Sequence, residues 1–446
     1  MSRIDYYLKT QSGRTFTLVW VGQLVSTTGS AMTRFGLAIW VYTETGSTTQ
    51  LAFVVLAGSL PSLLMSPFAG ALIDRWDRRI AMIIADTGAA LGTLGIAVLV
   101  GTGTLEMWHL YGALAFSSVF GAFQFPAYSA ATTLLVPKDQ YTRAAGMVQL
   151  AGSIGLVGAP ALAGVLVVSS GLMAIFVIDF LTFAIAVGTL MFVTFPNPDA
   201  PTKGRITPAS LLREAKAGLD FVTEHRGLLM LLLTFGAVNF AFSFQGVLLV
   251  PLLLQLSSEA TTGVVISISA LGLVAGSLLM SVWGGSSNRI RDLYVGLVVM
   301  GIGLSLVGLR PSVLLVLVAI TITHFALPVA ASSSQALWQA KTPPGIQGRV
   351  FAVRQMLAIG ATPLAFLFAG LLAENAFQPM FESGGIRDAL SWLVGTGDAR
   401  GIGLLVVIVG VLVTAVSIVS WCSPAIRNLD RDVPDIADTA HETADM

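Results

Sequence analysis

The chain has 446 residues, of which 55% are hydrophobic and 11% are charged, and its formal net charge at pH 7 is zero. A typical soluble domain has about a quarter of its residues charged, so this composition indicates a membrane protein. The neutral balance argues against a nucleic-acid partner. The single cysteine, Cys422, excludes an intramolecular disulfide and a cysteine-cluster metal site.

Apolar runs long enough to cross a bilayer recur along the whole chain. A hydrocarbon core of about 30 Å needs roughly 20 apolar residues per helix. The first run follows a basic N-terminal segment, and it is too long and too often interrupted by polar residues for a cleaved signal peptide. The pattern predicts an all-α membrane protein with twelve transmembrane helices in two pseudo-symmetric six-helix bundles. The predicted spans are 15–42, 50–72, 80–101, 108–136, 144–168, 172–194, 228–257, 262–284, 293–309, 312–340, 350–373 and 401–422.

A cluster of charge, GALIDRWDRR at 70–79, lies between spans two and three. Charged side chains are costly inside a bilayer, so this segment must be a loop at one membrane face. A weaker version, GGSSNRIRD at 284–292, occupies the same place in the second half of the chain. A shift of 206 residues pairs further identical residues, among them Arg143 with Arg349. The chain therefore resembles a duplicated transporter, with a substrate site expected between the halves.

The repeat and the distribution of basic residues predict the organisation of the chain. Most of the 24 Lys and Arg residues fall on the side of the N-terminus, which places both termini in the cytoplasm. An outer loop at 374–400 holds a short amphipathic stretch, GIRDALSWLV, and the polar, acidic tail after 423 is expected to be disordered. The predicted parts are an N-terminal bundle at 1–198, a cytoplasmic linker at 199–226 with an amphipathic helix near 208–225, a C-terminal bundle at 227–428 and a cytoplasmic tail at 429–446.

Two motifs carry a family resemblance. The loop at 70–79 resembles the motif between helices two and three of the major facilitator superfamily, in which a glycine precedes Asp-Arg and further arginines. Span five contains GSIGLVGAPALAGV at 152–165, similar to a Gly- and Pro-rich motif of exporters in that superfamily, although Ala159 interrupts the usual Gly-Pro pair. With TETGS at 43–47 and RNLDRDVPD at 427–435, the whole chain resembles bacterial permeases of the macrolide-efflux and enterobactin-exporter type.

The resemblance implies the major facilitator fold and assigns two sets of residues. In that superfamily the loop aspartate approaches the N-terminal end of span eleven, where exposed amide hydrogens favour an anion. Asp74 is therefore expected to latch the cytoplasmic side when it is closed; the alternative is that the loop charges serve topology only. The gate motif comprises Gly70, Asp74, Arg75, Arg78, Arg79 and Arg349. The exporter-motif helix contributes Gly155, Gly158, Pro160 and Gly164.

Polar residues recur at helical spacing in spans one, four, seven and ten. Polar side chains facing lipid are costly, so these stripes are expected to face a cavity or a neighbouring helix. Interhelical hydrogen bonding is the alternative for each residue, and His324 in particular is typical of a hydrogen-bonded packing residue. The predicted cavity residues are Gln23, Thr27, Ser30, Arg34, Gln124, Tyr128, Asn239, His324, Gln335 and Trp338.

Three ionisable residues lie deep in the predicted spans, namely Arg34, Asp86 and Asp179. Each is costly in the bilayer and so needs a partner or a function. Arg34 and Asp179 lie at comparable depth and could form a structural ion pair. Alternatively, protonation of Asp179 frees Arg34 for an anionic or carbonyl-rich substrate. Asp86 is a second proton-coupling candidate, unless it simply pairs with the nearby loop arginines.

No motif of an enzyme competes with transport. The phosphate-binding pattern GxxxxGK[ST] and the zinc pattern HExxH do not occur, so no ATP drive, metal or cofactor is expected. The leading hypothesis is a monomeric secondary exporter in the bacterial plasma membrane, which exchanges amphipathic small molecules, drug-like, macrolide-like or siderophore-like, for protons. The alternatives are an importer, a permease with another coupling ion, and a transporter-like receptor or assembly partner that moves nothing.

Overall fold

The computed structural model describes residues 10–73, 76–136, 141–193, 208–286, 288–343, 346–382, 385–397 and 400–435. Within these ranges all regular secondary structure is helical. The chain separates into two compact units. Unit one comprises Met1–Gly204 with Ser257–Ser267, and unit two comprises Arg205–Leu256 with Ile268–Met446.

Long helices form unit one at the predicted positions of spans one to six. Spans five and six are joined in one helix of 52 residues, enough for two crossings of a bilayer. They meet at Gly171, whose φ of 74° and ψ of 174° break the helical path at a residue without a Cβ. The helices are α1 (Gln11–Thr45), α2 (Thr48–Ile73), α3 (Arg78–Gly101), α4 (Met107–Leu135) and α5 (Tyr141–Phe192).

The second half of the chain repeats this pattern after a shorter connecting helix. That helix, α6 (Pro208–Glu224), lies where the sequence placed an amphipathic helix, and it buries Val222. The helices of the remaining spans are α7 (Arg226–Leu254), α8 (Glu259–Trp283), α9 (Arg289–Leu309), α10 (Val313–Lys341), α11 (Gln347–Gly360), α12 (Thr362–Leu372), α13 (Gln378–Glu382), α14 (Gly385–Val394), α15 (Arg400–Cys422), α16 (Pro424–Arg427) and α17 (Leu429–Asp432).

Local capping fixes where the helices of unit one begin and end. The Thr10 hydroxyl accepts a hydrogen bond of 3.0 Å from the Gly13 amide, and α1 ends at Gly46 with a φ of 64°. Asp77 caps α3 by accepting a bond of 2.8 Å from the Arg79 amide. One carboxylate of the charged loop is therefore used to start a helix.

Nine helical segments in the described ranges are long and apolar enough to cross a membrane. One of them, Leu150–Phe192, contains both span five and span six. The helices α1 and α4 also have transmembrane length, but polar side chains interrupt their apolar sequences and they are outside this set of nine. The predicted all-α membrane fold is confirmed, and the count of twelve crossings stays a prediction.

The region of span eleven extends further than predicted. The helix breaks at Ala361, resumes as α12, passes through a π-helical turn at Ala373–Phe377 and ends with α13 at Glu382. Much of the predicted outer loop is therefore helical, and α14 buries Val394 against Phe381. Hydropathy alone did not predict this helical continuation because the sequence after residue 373 is polar.

The expectation of a disordered tail was wrong for residues 424–435. The helices α16 and α17 bury Ile426 and Leu429. The ammonium of Lys341, at the end of α10, lies 2.7 Å from Asp430 and 3.2 Å from Asp435. The buried apolar residues and the ion pairs with Lys341 therefore hold this segment against the helices. Its overall polar composition gave no indication of these contacts. The remainder of the tail, 436–446, lies outside the described residues.

Candidate functional site

Unit one contains a cavity of about 330 Å³ among its helices. This volume is at the lower end of the roughly 300–1,000 Å³ typical of small-molecule sites. Side chains from α1, α2, α3, α4 and α5 line it. The polar lining residues are Thr27, Ser30, Thr33, Arg34, Ser62, Thr93, Ser117, Ser118, Gln124 and Asp179, and the others are Gly58, Ala89, Ile96, Leu114, Gly121 and Phe183.

Three hydroxyl groups hold the carboxylate of Asp179, which is only 1% exposed. Thr33 donates a hydrogen bond of 2.7 Å to Oδ2. Ser30 donates to Oδ1 at 3.4 Å, and Thr93 donates to Oδ2 at 3.4 Å. Hydroxyls bind a carboxylate without supplying an opposite charge, so none of these three partners forms an ion pair with Asp179.

Arg34 lines the same cavity with an exposed side chain. Among the described residues no guanidinium nitrogen of Arg34 lies within 4.0 Å of Asp179, so the direct salt bridge considered from the sequence is not formed. The two charges attract each other at longer range. Within the described part of the chain the Arg34 guanidinium forms no hydrogen bond, and a guanidinium has five donors to offer. Arg34 therefore presents N–H donors at the cavity for which the described residues provide no acceptor.

Asp86 is fully buried and is held by two amides rather than by arginines. Gln23 Nε2 donates to its Oδ2 at 2.8 Å, and Gln124 Nε2 donates to its Oδ1 at 2.8 Å. The alternative that Asp86 pairs with the loop arginines is therefore not realised for Arg78 or Arg79. Arg79 instead donates bonds of 2.6 Å to the carbonyl oxygens of Leu190 and Met191. These carbonyls belong to the last turn of α5, where a cation is favoured.

A close approach of α1 to α5 brings Asp179 to the cavity. A Cβ added at Gly29 would lie 2.9 Å from Oδ1 of Asp179 and closer still to the hydroxyl of Thr182. Any larger residue at position 29 would therefore force the side chains of Thr182 and Asp179 to move. The chain contains 46 glycines, and nothing in the sequence distinguished Gly29 as the one that contacts Asp179.

In unit one, the residues that follow Pro61 and Pro160 each donate their backbone amide to a serine hydroxyl of another helix. After Pro61, the Ser62 amide donates to the Ser118 hydroxyl at 3.0 Å. After Pro160, the Ala161 amide donates to the Ser267 hydroxyl at 2.9 Å. Neighbouring serines commonly satisfy backbone groups freed by proline in membrane helices. Ser62 and Ser118 thereby become part of the cavity wall, which the sequence did not predict.

The glycines of the exporter-motif helix have different environments. A Cβ at Gly164 would lie 2.7 Å from the Glu259 carbonyl oxygen, and one at Gly155 would touch the Thr27 carbonyl at 3.6 Å. No described atom lies within 4 Å of a Cβ built at Gly158. Packing therefore explains Gly155 and Gly164, and nothing in the structure explains Gly158.

The predicted cavity residues of unit two form contacts of their own. His324 has Nε2 3.2 Å from Gln245 Nε2 and Nδ1 3.2 Å from the Ser269 carbonyl oxygen. Because a carbonyl only accepts, Nδ1 carries the proton and Nε2 accepts from Gln245. His324 is therefore a hydrogen-bonded packing residue here. Asn239 is half-buried, and its backbone carbonyl oxygen accepts a hydrogen bond of 2.6 Å from the Ser243 hydroxyl.

Arg354 of α11 organises the end of α10. It donates to Gln335 Oε1 at 2.6 Å and to the Ser334 hydroxyl at 3.1 Å. Its guanidinium lies 5.6 Å from the ring centroid of Trp338, within cation–π range. Trp338 is buried rather than cavity-lining. No local sequence pattern marks Arg354 as a partner of α10.

The structure thus divides the predicted site residues. Thr27, Ser30, Arg34 and Gln124 line the cavity of unit one, while Gln23 and Tyr128 are buried behind it. The sequence missed Thr33, Thr93, Ser62 and Ser118. For the gate motif, Gly70 belongs to the last turn of α2. Asp74, Arg75 and the side chain of Arg349 lie outside the described residues.

A helical membrane unit that encloses a polar cavity with an unneutralised cation is typical of a membrane transporter. The sequence matches the model of the family described as transmembrane secretion effector over residues 9–384. The chain belongs to this family of the major facilitator superfamily, and the resemblance inferred from its motifs is confirmed.

Two relatives show what the chain is similar to. Macrolide efflux protein A of Streptococcus pyogenes is 30% identical over 366 residues, which cover 81% of this chain and 89% of the relative. The multidrug efflux pump Tap of Mycolicibacterium fortuitum is 24% identical over 367 residues, which cover 80% of this chain and 89% of the relative. Both comparisons span nearly the full transporter.

Solved structures support the fold. A bacterial homologue of the human lysosomal transporter Spinster superimposes with a TM-score of 0.74 and 14% identity, covering 96% of this chain and 99% of that one. The nucleoside transporter NupG gives a TM-score of 0.71 and 13% identity, covering 91% and 99%. At this identity the likeness concerns the fold alone.

Proposed function

We propose that this protein is a secondary exporter of amphipathic small molecules in the bacterial plasma membrane. It works by proton antiport and alternating access, with both termini in the cytoplasm. The names of the efflux relatives support export, and the macrolide relative supports a bulky natural product as substrate. The cavity of unit one, with a volume of about 330 Å³, would hold part of such a compound and supports binding by apolar area together with a few directed hydrogen bonds.

The observation that carries the proposal is the presence of Arg34 and Asp179 in one cavity without a salt bridge between them. An ionised Asp179 attracts Arg34 at long range. Exchange requires that proton and substrate occupy the site alternately, so a hydrogen-bond donor or amine of the substrate binds the ionised Asp179 only after the proton has left, while Arg34 binds a carbonyl or acidic group of the same compound. Proton and substrate then affect each other's binding reciprocally.

Transport in reconstituted liposomes tests the proposal. Erythromycin, a macrolide, is expected to drive proton movement across liposomes containing the wild-type protein, and a collapsed pH gradient should abolish erythromycin accumulation. Asp179→Asn should uncouple the two fluxes because an amide cannot exchange a proton. Asp220→Asn, which changes an exposed acid of α6, serves as the matched control and should leave coupling intact.

Three outcomes would contradict parts of the proposal. Erythromycin accumulation that does not depend on the pH gradient would contradict proton antiport. Accumulation in the opposite direction would favour an importer. No movement of any tested compound, with specific binding retained, would favour a receptor.

A further inference from the structure

Three polar side chains from different helices form a closed cluster beside the cavity of unit one. Gln23 of α1 and Gln124 of α4 both donate to Asp86 of α3, each at 2.8 Å. Gln124 Nε2 also lies 3.3 Å from Gln23 Oε1. Asp86 and Gln23 are buried, whereas Gln124 is half-buried and lines the cavity. The cluster therefore connects a sealed acid to the cavity wall.

The chemistry of Asp86 dictates the orientation of the amide. An ionised carboxylate only accepts hydrogen bonds, whereas an amide has two N–H donors on nitrogen and an acceptor on oxygen. Gln124 must therefore turn its nitrogen toward Asp86, and its second N–H is directed to Gln23. Its Oε1 receives no hydrogen bond from any residue that the structure describes. This oxygen is left as the polar group that Gln124 offers to the cavity.

We infer that Asp86 is a positioning residue that fixes the Gln124 amide so that its carbonyl oxygen faces the cavity and binds a hydrogen-bond donor of the transported compound. The inference rests on the proposed transport function and adds a specificity element to it. The fitting donor is a hydroxyl or an amine. Compounds that offer only carbonyl or ether oxygens at this point would leave the Gln124 oxygen unpaired and bind less well.

The position of Arg34 extends the recognition pattern. Arg34 follows Gln23 by eleven residues on α1, which corresponds to about 16 Å along the helix. The cavity thus offers a hydrogen-bond acceptor at Gln124, which contacts Gln23 of α1, and hydrogen-bond donors at Arg34, about three turns further along α1. This arrangement fits a hydroxyl-rich amphipathic compound that carries a carbonyl or acidic group at its other end.

A double-mutant cycle tests the inference with erythromycin, which carries hydroxyl groups, as the probe in proteoliposomes. Gln124→Met deletes the acceptor at similar volume and should raise KM by about fivefold to tenfold, as expected for one hydrogen bond, with little change in kcat. Asp86→Asn releases the amide orientation and should raise KM by a similar factor. In the Q124M background, D86N should add no further change in KM, because the oxygen it positions is gone.

Stability must be separated from recognition. Both substitutions disturb a buried cluster, so thermal unfolding is measured for every variant. Thr234→Val, which removes a buried hydrogen bond of 2.7 Å to Ser420 in unit two, is the control for lost stability and should leave KM within twofold of the wild type. A KM change that follows stability in all variants would indicate a purely structural cluster.

The outcomes distinguish the inference from the function on which it rests. Independent, additive effects of D86N and Q124M on KM would overturn the positioning role, as would an unchanged KM in either variant while the wild type transports erythromycin. A wild-type protein that moves no erythromycin would contradict the proposed function, and the inference with it.

Discussion

The hydroxyl of Thr33 donates a 2.7 Å hydrogen bond to Oδ2 of Asp179, while Arg34 in the same cavity forms no salt bridge with this carboxylate. Ser30 and Thr93 add weaker contacts at 3.4 Å each. The acid is therefore stabilised by neutral groups, and the arginine remains available in the cavity. A direct ion pair would have satisfied both charges and left neither for a ligand or a proton.

The first prediction concerns the coupling between these two charges. Asp179→Ala should cost about 1–3 kcal/mol of stability because three hydroxyls lose their acceptor. Arg34→Ala should cost about 1 kcal/mol or less, since Arg34 is exposed and forms no hydrogen bond in the described part of the chain. The double variant should lie within about 1 kcal/mol of the sum. Thermal unfolding in detergent measures all three, and a double variant much more stable than D179A would reveal a direct pair.

The second prediction concerns the glycine beside Asp179. Gly29→Ala places a methyl group against Asp179 and Thr182, so it should destabilise the protein by about 1–3 kcal/mol and reduce transport. Gly58→Ala is the matched control, because Gly58 lines the same cavity and no described atom lies within 4 Å of its Cβ position. Unfolding and uptake are measured together. If Gly29→Ala and Gly58→Ala have the same stability and the same uptake, the close approach of α1 and α5 is contradicted.

The third prediction concerns the hydrogen bond of the residue that follows Pro61. Ser118→Ala leaves the Ser62 amide without its acceptor and should cost about 1–2 kcal/mol. The neighbouring Ser117 donates at 3.3 Å to the Ala89 carbonyl, so Ser117→Ala should cost about 0.5 kcal/mol. Thermal unfolding compares the two. If S117A proves the more damaging, the hydrogen bond from the Ser62 amide to Ser118 is not the more important of the two.

Helix positions could be predicted from the sequence because a bilayer permits few alternatives to apolar helices of fixed length. The prediction failed where hydropathy carries little information. The helical continuation from Ala373 to Glu382 is too polar to be recognised as part of a span. The segment 424–435 docks through a few buried apolar residues and ion pairs that average composition hides.

The site was predicted less well, because partner choice depends on how helices rotate against one another. The helical spacing along α1 predicted Thr27, Ser30 and Arg34 as cavity residues. It did not predict Thr33, which forms the shortest of the three hydroxyl hydrogen bonds to Asp179. For Asp86, a proton-coupling candidate, the alternative was pairing with arginines near it in sequence. Its actual partner Gln124 is 38 positions away and reaches it only through the packing of α4 on α3.

The docked C-terminal segment leads to the last prediction. Lys341 Nζ, whose side chain is 0% exposed, contacts Asp430 at 2.7 Å, Asp435 at 3.2 Å and the Val433 carbonyl at 2.7 Å. A buried ammonium that loses its acids is strongly unfavourable, whereas an apolar residue of similar volume at the same place is tolerated. The acids should therefore matter more to stability than the lysine does.

Replacing both acids, as D430N/D435N, should cost about 2–3 kcal/mol, a value below that of a fully buried pair because Asp430 is 70% exposed. Lys341→Met should cost about 1 kcal/mol, and adding it to D430N/D435N should restore part of the loss. Asp432→Asn, which removes an exposed pair with Arg431, is the control and should change stability by less than about 0.5 kcal/mol. Thermal unfolding in detergent decides the order, and a lysine variant more damaging than the double acid variant would show that Lys341 acts through packing rather than through its charge.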